Sequence, residues 1–105
     1  MGLDVTFGQS NGATVVRVTG EVDLSTADRF AAAVSDRAAH GPVVVDLEGL
    51  TFMDSAGVRA IDRLLAAARA RGWALRFSPA MRENVRQVLW LTGVLEVLPF
   101  AEVSR

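Results

Sequence analysis

The sequence predicts an α/β domain with three helices, four strands and a short closing strand, in the order ββαβαβα(β). Residues 3–7 alternate apolar and polar side chains, which is typical of a strand with one buried face. Val43, Val44 and Val45 form a β-branched run without alternation, which suits a central strand covered on both faces. Elsewhere apolar residues recur at helical spacing, and glycine follows each of these stretches.

The first half of the chain contains a predicted hairpin and a predicted helix. Asn11-Gly12 favours a tight turn into a second strand over residues 14–19, because both residues tolerate positive φ. Ser25 followed three residues later by Asp28 indicates a helix start, since such side chains satisfy the free N–H groups there. This helix is expected to end at Gly41-Pro42.

The second half contains two more predicted helices and two short strands. A connection over residues 48–57 is expected to lead into the second helix, which ends at about Arg71. A strand over residues 74–77 precedes Ser78-Pro79, where a third helix is expected to begin because proline's missing N–H costs nothing at the first helical position. Residues 97–100 fit an edge strand, where a proline is tolerated.

Composition excludes several classes of protein. The 105 residues include 12 acidic side chains, 11 arginines, one histidine and no cysteine. Without cysteine there are no disulfides or thiolate sites, and His40 alone excludes a multi-histidine metal site. A net charge of −1 argues against broad nucleic-acid binding, and the apolar runs are far too short to span a membrane. We therefore expect one cytoplasmic domain over residues 1–105, without metal, cofactor, nucleic-acid or membrane binding.

The junction before the second helix carries the strongest functional signal. Phe52 and Met53 are apolar for a loop, so both are expected to pack down on the domain. Asp54-Ser55 then lies at the helix N-terminus, and Gly57 in the first turn leaves the Ser55 hydroxyl uncrowded. The free N–H groups and partial positive charge of a helix N-terminus suit a phosphate on Ser55. The alternative is that Asp54 or Ser55 merely caps the helix.

Nearly the whole chain resembles the STAS domain of bacterial anti-sigma factor antagonists. The specific match is Phe52-Met53-Asp54-Ser55-Ala56-Gly57-Val58. Weaker matches, in the family's order, are Gly20-Glu21-Val22-Asp23, Val43-Val44-Val45-Asp46-Leu47, Ser78-Pro79 and Leu91-Thr92-Gly93-Val94. The resemblance implies a single STAS domain, built on a mixed sheet of four to five strands packed with three or more helices. It also implies a protein that binds a serine-kinase anti-sigma factor and so releases a sigma factor.

The same resemblance implies a phosphorylation switch at Ser55. In the family the kinase phosphorylates the serine after Met-Asp, the antagonist dissociates, and a metal-dependent serine phosphatase restores it. Ala56 replaces the second hydroxyl residue of many members, and Asp23 matches an acidic position near the phosphorylation site. The chain is expected to be a monomer or weak dimer. The partner-binding residues are expected to be Asp23, Met53, Asp54, Ser55, Ala56, Gly57, Val58 and Arg59.

Two other function classes fit single features of the chain. A STAS subunit of a lipid transporter or another signalling assembly would not need a phosphorylated Ser55. A small serine hydrolase would place Ser55 in a nucleophile elbow, but Met53 occupies the position of the first glycine of that motif. Asp46 is expected to bond loop N–H groups at a strand end, and Trp90 is expected to be exposed on its helix.

Overall fold

The computed structural model describes residues 2–103, which form a five-stranded mixed sheet and three α-helices, as predicted. The strands are β1 (Leu3–Ser10), β2 (Ala13–Val22), β3 (Val43–Asp46), β4 (Leu50–Met53) and β5 (Leu75–Phe77). The helices are α1 (Ala27–Ala38), α2 (Ser55–Arg71) and α3 (Glu83–Leu91). No helix in this described part of the chain has the length and apolarity needed to cross a bilayer.

Strand β2 is the centre of the sheet. It pairs antiparallel with β1 through the predicted Asn11-Gly12 turn, in which both residues have positive φ. Strands β3 and β4 pair in parallel with successive halves of β2, and β5 pairs in parallel with β3. The carboxyl ends of β2 and β4 therefore lie side by side, with Val22 opposite Met53.

Strand β4 lies within the segment predicted as a connection. It forms because β3 leaves β2 at Arg17, so the last part of β2 still has an edge to be paired. Met53 is buried as expected, whereas Phe52 is 43% exposed. Successive side chains on a strand point to opposite faces, so Phe52 cannot share the buried side of Met53. The expectation that both residues pack down was thus wrong for Phe52.

Helix α3 begins four residues later than predicted, at Glu83 rather than at Pro79. Ser78 is buried, and its N–H donates to the Val45 carbonyl at 2.9 Å. This bond keeps the chain extended beside β3 past the end of β5, so the helix starts only after the turn. Val85 and Leu89 then supply the buried face of α3, as their spacing predicts.

The C-terminal segment covers the face of the sheet opposite the helices. Residues 97–100 do not form the predicted edge strand, since the chain makes a 3₁₀ turn (Leu95–Val97) and then a single bridge between Phe77 and Phe100. Val103 then packs on Val15 and Val44 in a small second apolar cluster. Strand β3 is therefore covered on both faces, as predicted, by the helices on the side of Val43 and Val45 and by this irregular segment on the side of Val44.

Candidate functional site

The candidate site lies where β2 and β4 end next to each other. The Asp54 N–H donates to the Val22 carbonyl at 3.2 Å, which continues the pairing of the two strands by one residue. Asp23 follows Val22 and Asp54 follows Met53, so the two acidic residues leave the sheet on strands that lie about 4.8 Å apart. The fold thus brings the sequence-predicted Asp23 next to Asp54.

Asp54 caps helix α2. Its backbone is extended, and its carboxylate accepts hydrogen bonds from the N–H groups of Ala56 at 2.9 Å and Gly57 at 3.4 Å. Such a cap contributes about 0.5–2 kcal/mol to stability. The capping alternative raised by the sequence is therefore correct for Asp54.

Ser55 is the first residue of α2, and its side chain is exposed. Within residues 2–103 its hydroxyl makes no hydrogen bond, because Asp54 satisfies the N–H groups of the first turn. The hydroxyl is therefore accessible to another protein. It lies at the end of a 17-residue helix where the macrodipole is positive and favours an anion.

Gly57 is required by close packing between α2 and the sheet. A Cβ atom at this position would lie 2.6 Å from Met53 Cγ and 3.0 Å from Val22 Cγ1. The absence of a side chain lets the first turn of α2 rest directly on the ends of β2 and β4. The prediction that this glycine serves to uncrowd Ser55 is thus corrected, since the crowding would occur on the core side of the helix.

Four of the residues expected to touch a partner lie in the core of the domain. Met53, Ala56, Gly57 and Val58 are buried, so their side chains offer little surface to a partner. They are neighbours of Ser55 along the chain, but a helix turns by about 100° per residue and directs most of them inward. In the core they pack the start of α2 against the ends of β2 and β4.

The other four residues of the predicted set reach the surface of the site. Ser55 and Arg59 are exposed, and Asp23 and Asp54 are partly exposed. Ser55 and Arg59 lie one helical turn apart, so they share one face of α2. The exposed part of the site thus combines a hydroxyl, two carboxylates and one guanidinium.

Asp23 organises the loop between β2 and α1. Its carboxylate accepts hydrogen bonds from the Ser25 hydroxyl at 2.6 Å, the Ser25 N–H at 2.9 Å and the Thr26 hydroxyl at 3.3 Å. These bonds, chiefly the one from the Ser25 hydroxyl, lower the pKa of Asp23 against the opposing effect of desolvation. Helix α1 begins at Ala27 rather than at Ser25, because Ser25 bonds to Asp23 instead of capping.

Two apolar side chains that the sequence did not predict to be exposed lie at this edge. Leu24, between Asp23 and Ser25, is 80% exposed, and Phe52 on β4 is 43% exposed. The signal that could have found Leu24 is an apolar residue placed among polar loop residues directly after a strand. Its exposure depends on the path of the loop, which the sequence does not show.

Residues away from this edge have structural explanations. The Asp46 carboxylate accepts from the Glu48 N–H at 3.0 Å and pairs with Arg17 at 3.5 Å, as expected for a carboxylate at a strand end. His40 lies past the C-terminal end of α1, at the opposite end of that helix from the site.

Trp90 is 57% exposed, which confirms the prediction that it is exposed on its helix. Among residues 2–103, no three His, Cys, Asp or Glu side chains are grouped to hold a metal ion.

The chain is similar to proteins of the STAS domain family. The family model described as "Mlab, STAS domain" matches residues 5–99. The anti-sigma-F factor antagonist RsfB of Mycobacterium tuberculosis is 30% identical over 95 residues, which cover 88% of this chain and 75% of RsfB.

Solved structures show the same fold. The crystal structure of an anti-sigma factor antagonist from Mycobacterium paratuberculosis superposes with a TM-score of 0.80 at 24% identity, covering 93% of this chain and 84% of that one. The anti-sigma factor antagonist SpoIIAA, in its unphosphorylated form, gives a TM-score of 0.71 at 20% identity, covering 93% of this chain and 88% of SpoIIAA. Phosphorylated SpoIIAA of Bacillus gives a TM-score of 0.64 at 20% identity, covering 93% of this chain and 91% of that one.

Proposed function

Since this chain belongs to the STAS domain family, among its anti-sigma factor antagonists, we propose that its unphosphorylated form binds a serine-kinase anti-sigma factor and releases a sigma factor. Phosphorylation of Ser55 by that kinase ends the binding, and a serine phosphatase restores it. Both reactions take place in the bacterial cytoplasm, where transcription is regulated.

The observation that carries this proposal is the division of roles between two adjacent residues. Asp54 caps α2, and Ser55 beside it has an exposed hydroxyl without a partner in residues 2–103. A kinase can therefore reach the hydroxyl without breaking the cap. SpoIIAA, which shares the fold, has been solved in a phosphorylated form, and this supports a phosphate-bearing state for such a domain.

A phosphate on Ser55 should leave the fold intact. At an exposed helix N-terminus the macrodipole stabilises an anion by about 0.3–1 kcal/mol. The carboxylates of Asp54 and Asp23 lie nearby and repel it, so the two effects oppose each other. The net change in the free energy of unfolding is therefore small.

The same phosphate should act strongly on the complex. It adds a charge of about −1.5 to −2 to a surface that already carries two carboxylates and one guanidinium. Burying such a charge in an interface without compensation costs several kcal/mol. Because about 1.4 kcal/mol changes an affinity tenfold, the phosphate prevents binding by blocking the interface rather than by reshaping the domain.

We further propose that the chain has no catalytic turnover. Its family consists of regulatory binding proteins. Ser55 has no histidine beside it to act as a base, since His40, the one histidine of the sequence, lies at the far end of α1.

The switch is tested by measuring the affinity of the cognate anti-sigma factor by titration calorimetry. Ser55→Asp should weaken binding by more than tenfold, while its melting temperature stays within a few degrees of wild type. Gln87→Glu, which adds one negative charge on the exposed side of α3, is the matched control and should bind normally. Ser55→Ala should bind like wild type and resist inactivation by kinase and ATP.

Phosphopeptide mapping of the protein from its host gives an independent result. Phosphate should be found on Ser55, and stoichiometric phosphate on Ser25, Thr26 or Ser78 instead would overturn the assignment. A Ser55→Asp variant that binds as tightly as wild type, or one that is unfolded, would contradict the blocking mechanism. A chain that binds no anti-sigma factor and carries no phosphate would instead be a STAS subunit of another assembly.

A further inference from the structure

Leu24 is the most exposed large apolar side chain in residues 2–103, with 80% of its surface open to solvent. It lies two residues beyond the end of β2, and Ser55 lies two residues beyond the end of β4, its neighbour in the sheet. We propose that Leu24 is the apolar anchor of the antagonist and enters a hydrophobic pocket on the anti-sigma factor. This proposal rests on the proposed function, because it assigns an affinity-determining residue to the same interface.

The loop around Leu24 is held rigidly. The Thr26 hydroxyl donates to the Glu21 carbonyl at 2.9 Å, and the Asp23 carbonyl accepts from the N–H groups of Thr26 at 3.1 Å and Ala27 at 2.8 Å. The Asp23 carboxylate bonds to Ser25 on the other side of Leu24. Leu24 is thus presented on a fixed backbone, and a preorganised loop loses less conformational entropy on binding than a mobile one.

The position of Leu24 is not explained by the domain itself. The polar residues on either side of it make the bonds that form the loop, and its side chain packs into neither apolar cluster of the domain. A single exposed leucine is ordinary on a protein surface. This one, however, adjoins the residue whose modification is proposed to control binding, so the interface that includes Ser55 extends over it.

Other exposed apolar side chains lie farther from Ser55, are covered by another side chain, or are less exposed than Leu24. Trp90 and Leu91 lie on the last turn of α3, beyond the part of that helix that packs on β4. Phe7 on β1 has the guanidinium of Arg37 4.0 Å from its ring centre. Phe52 is 43% exposed, about half as much as Leu24. Leu24 is therefore the side chain at this edge that offers the most apolar surface to a partner.

The test compares Leu24→Ser with Leu91→Ser, since Leu91 is 67% exposed and lies at the C-terminal end of α3. The dissociation constant for the anti-sigma factor is measured by titration calorimetry, and the melting temperature by circular dichroism. Full burial of a leucine corresponds to an affinity change of about ten- to a hundredfold. We expect Leu24→Ser to lose that much affinity at an unchanged melting temperature, Leu91→Ser to bind like wild type, and Leu24→Met to retain most of the affinity.

The possible failures are distinguishable. If wild type binds and Leu24→Ser binds equally well, Leu24 is not the anchor, while the proposed function stands. If wild type binds no anti-sigma factor, both proposals fall. Sedimentation of the free protein gives a third outcome: a wild-type dimer that Leu24→Ser converts to monomer would show that a second copy covers Leu24, and this would overturn the proposal.

Discussion

Replacing Gly57 with alanine tests whether α2 approaches the sheet as closely as the structure shows. The substituted Cβ would lie 2.6 Å from Met53 Cγ and 3.0 Å from Val22 Cγ1, both shorter than ordinary carbon contacts. Met53 and Val22 are buried, so neither side chain can swing into solvent to make room. Either α2 moves outward or the ends of β2 and β4 repack.

Two opposing effects decide how much Gly57→Ala changes the free energy of unfolding. Alanine is a better helix former than glycine by about 1 kcal/mol, which favours the variant. Overpacking of a core by one methyl group costs about 1–3 kcal/mol, and the stiff side chain of Val22 places the cost here in the upper part of that range. We therefore expect Gly57→Ala to lower the free energy of unfolding by about 1–2 kcal/mol. For a domain of this size each kcal/mol corresponds to a drop in melting temperature of about 4–8 °C.

Urea unfolding followed by circular dichroism measures this loss. Gly41→Ala is the matched control, because a Cβ at Gly41 meets no atom within 4 Å and its φ is not in the left-handed region. Its stability should stay within about 0.5 kcal/mol of wild type. A Gly57→Ala variant as stable as wild type, or more stable, would refute the close-packing explanation. A helix displaced by the methyl group should also weaken anti-sigma factor binding, since Ser55 begins the same turn.

Two further predictions concern the elements around the site. Ser25→Ala should raise the pKa of Asp23 toward its ordinary value, because the Ser25 hydroxyl supplies the chief bond to the ionised carboxylate. Since folding lowers this pKa, the ionised Asp23 stabilises the loop at pH values above its unfolded pKa, and this stabilisation is lost as pH falls through the folded pKa. Carboxyl NMR titration of wild type and Ser25→Ala would show the difference in the pKa of Asp23. Identical titration curves would contradict the prediction. Asn84→Ala should lower the free energy of unfolding by about 0.5–1.5 kcal/mol, because its amide donates to a β4 carbonyl at 2.8 Å. The control Gln87→Ala, on the exposed side of the same helix, should change it little, and equal losses in urea unfolding would show that the Asn84 bond does not matter.

The sequence by itself determined the features that depend on near neighbours. The hairpin turn follows from Asn11-Gly12, which take the positive φ values that such a turn needs. Helix α2 ends at Gly72 because this residue adopts the left-handed conformation of a helix C-terminus. The acid-serine pair at the start of α2 was likewise visible in the sequence, because capping involves atoms only two or three residues apart.

Only the tertiary structure decided which of these neighbours reach the surface. Strand β4 exists because β2 has a free edge, and Phe52 is exposed because β4 pairs there. Gly57 and Val58 are buried because α2 rests on the ends of two strands, and Asp23 adjoins the site because those strands end together. Each of these facts depends on contacts between segments that are distant along the chain. Local propensity does not encode such contacts, because they form only when the whole sheet is assembled.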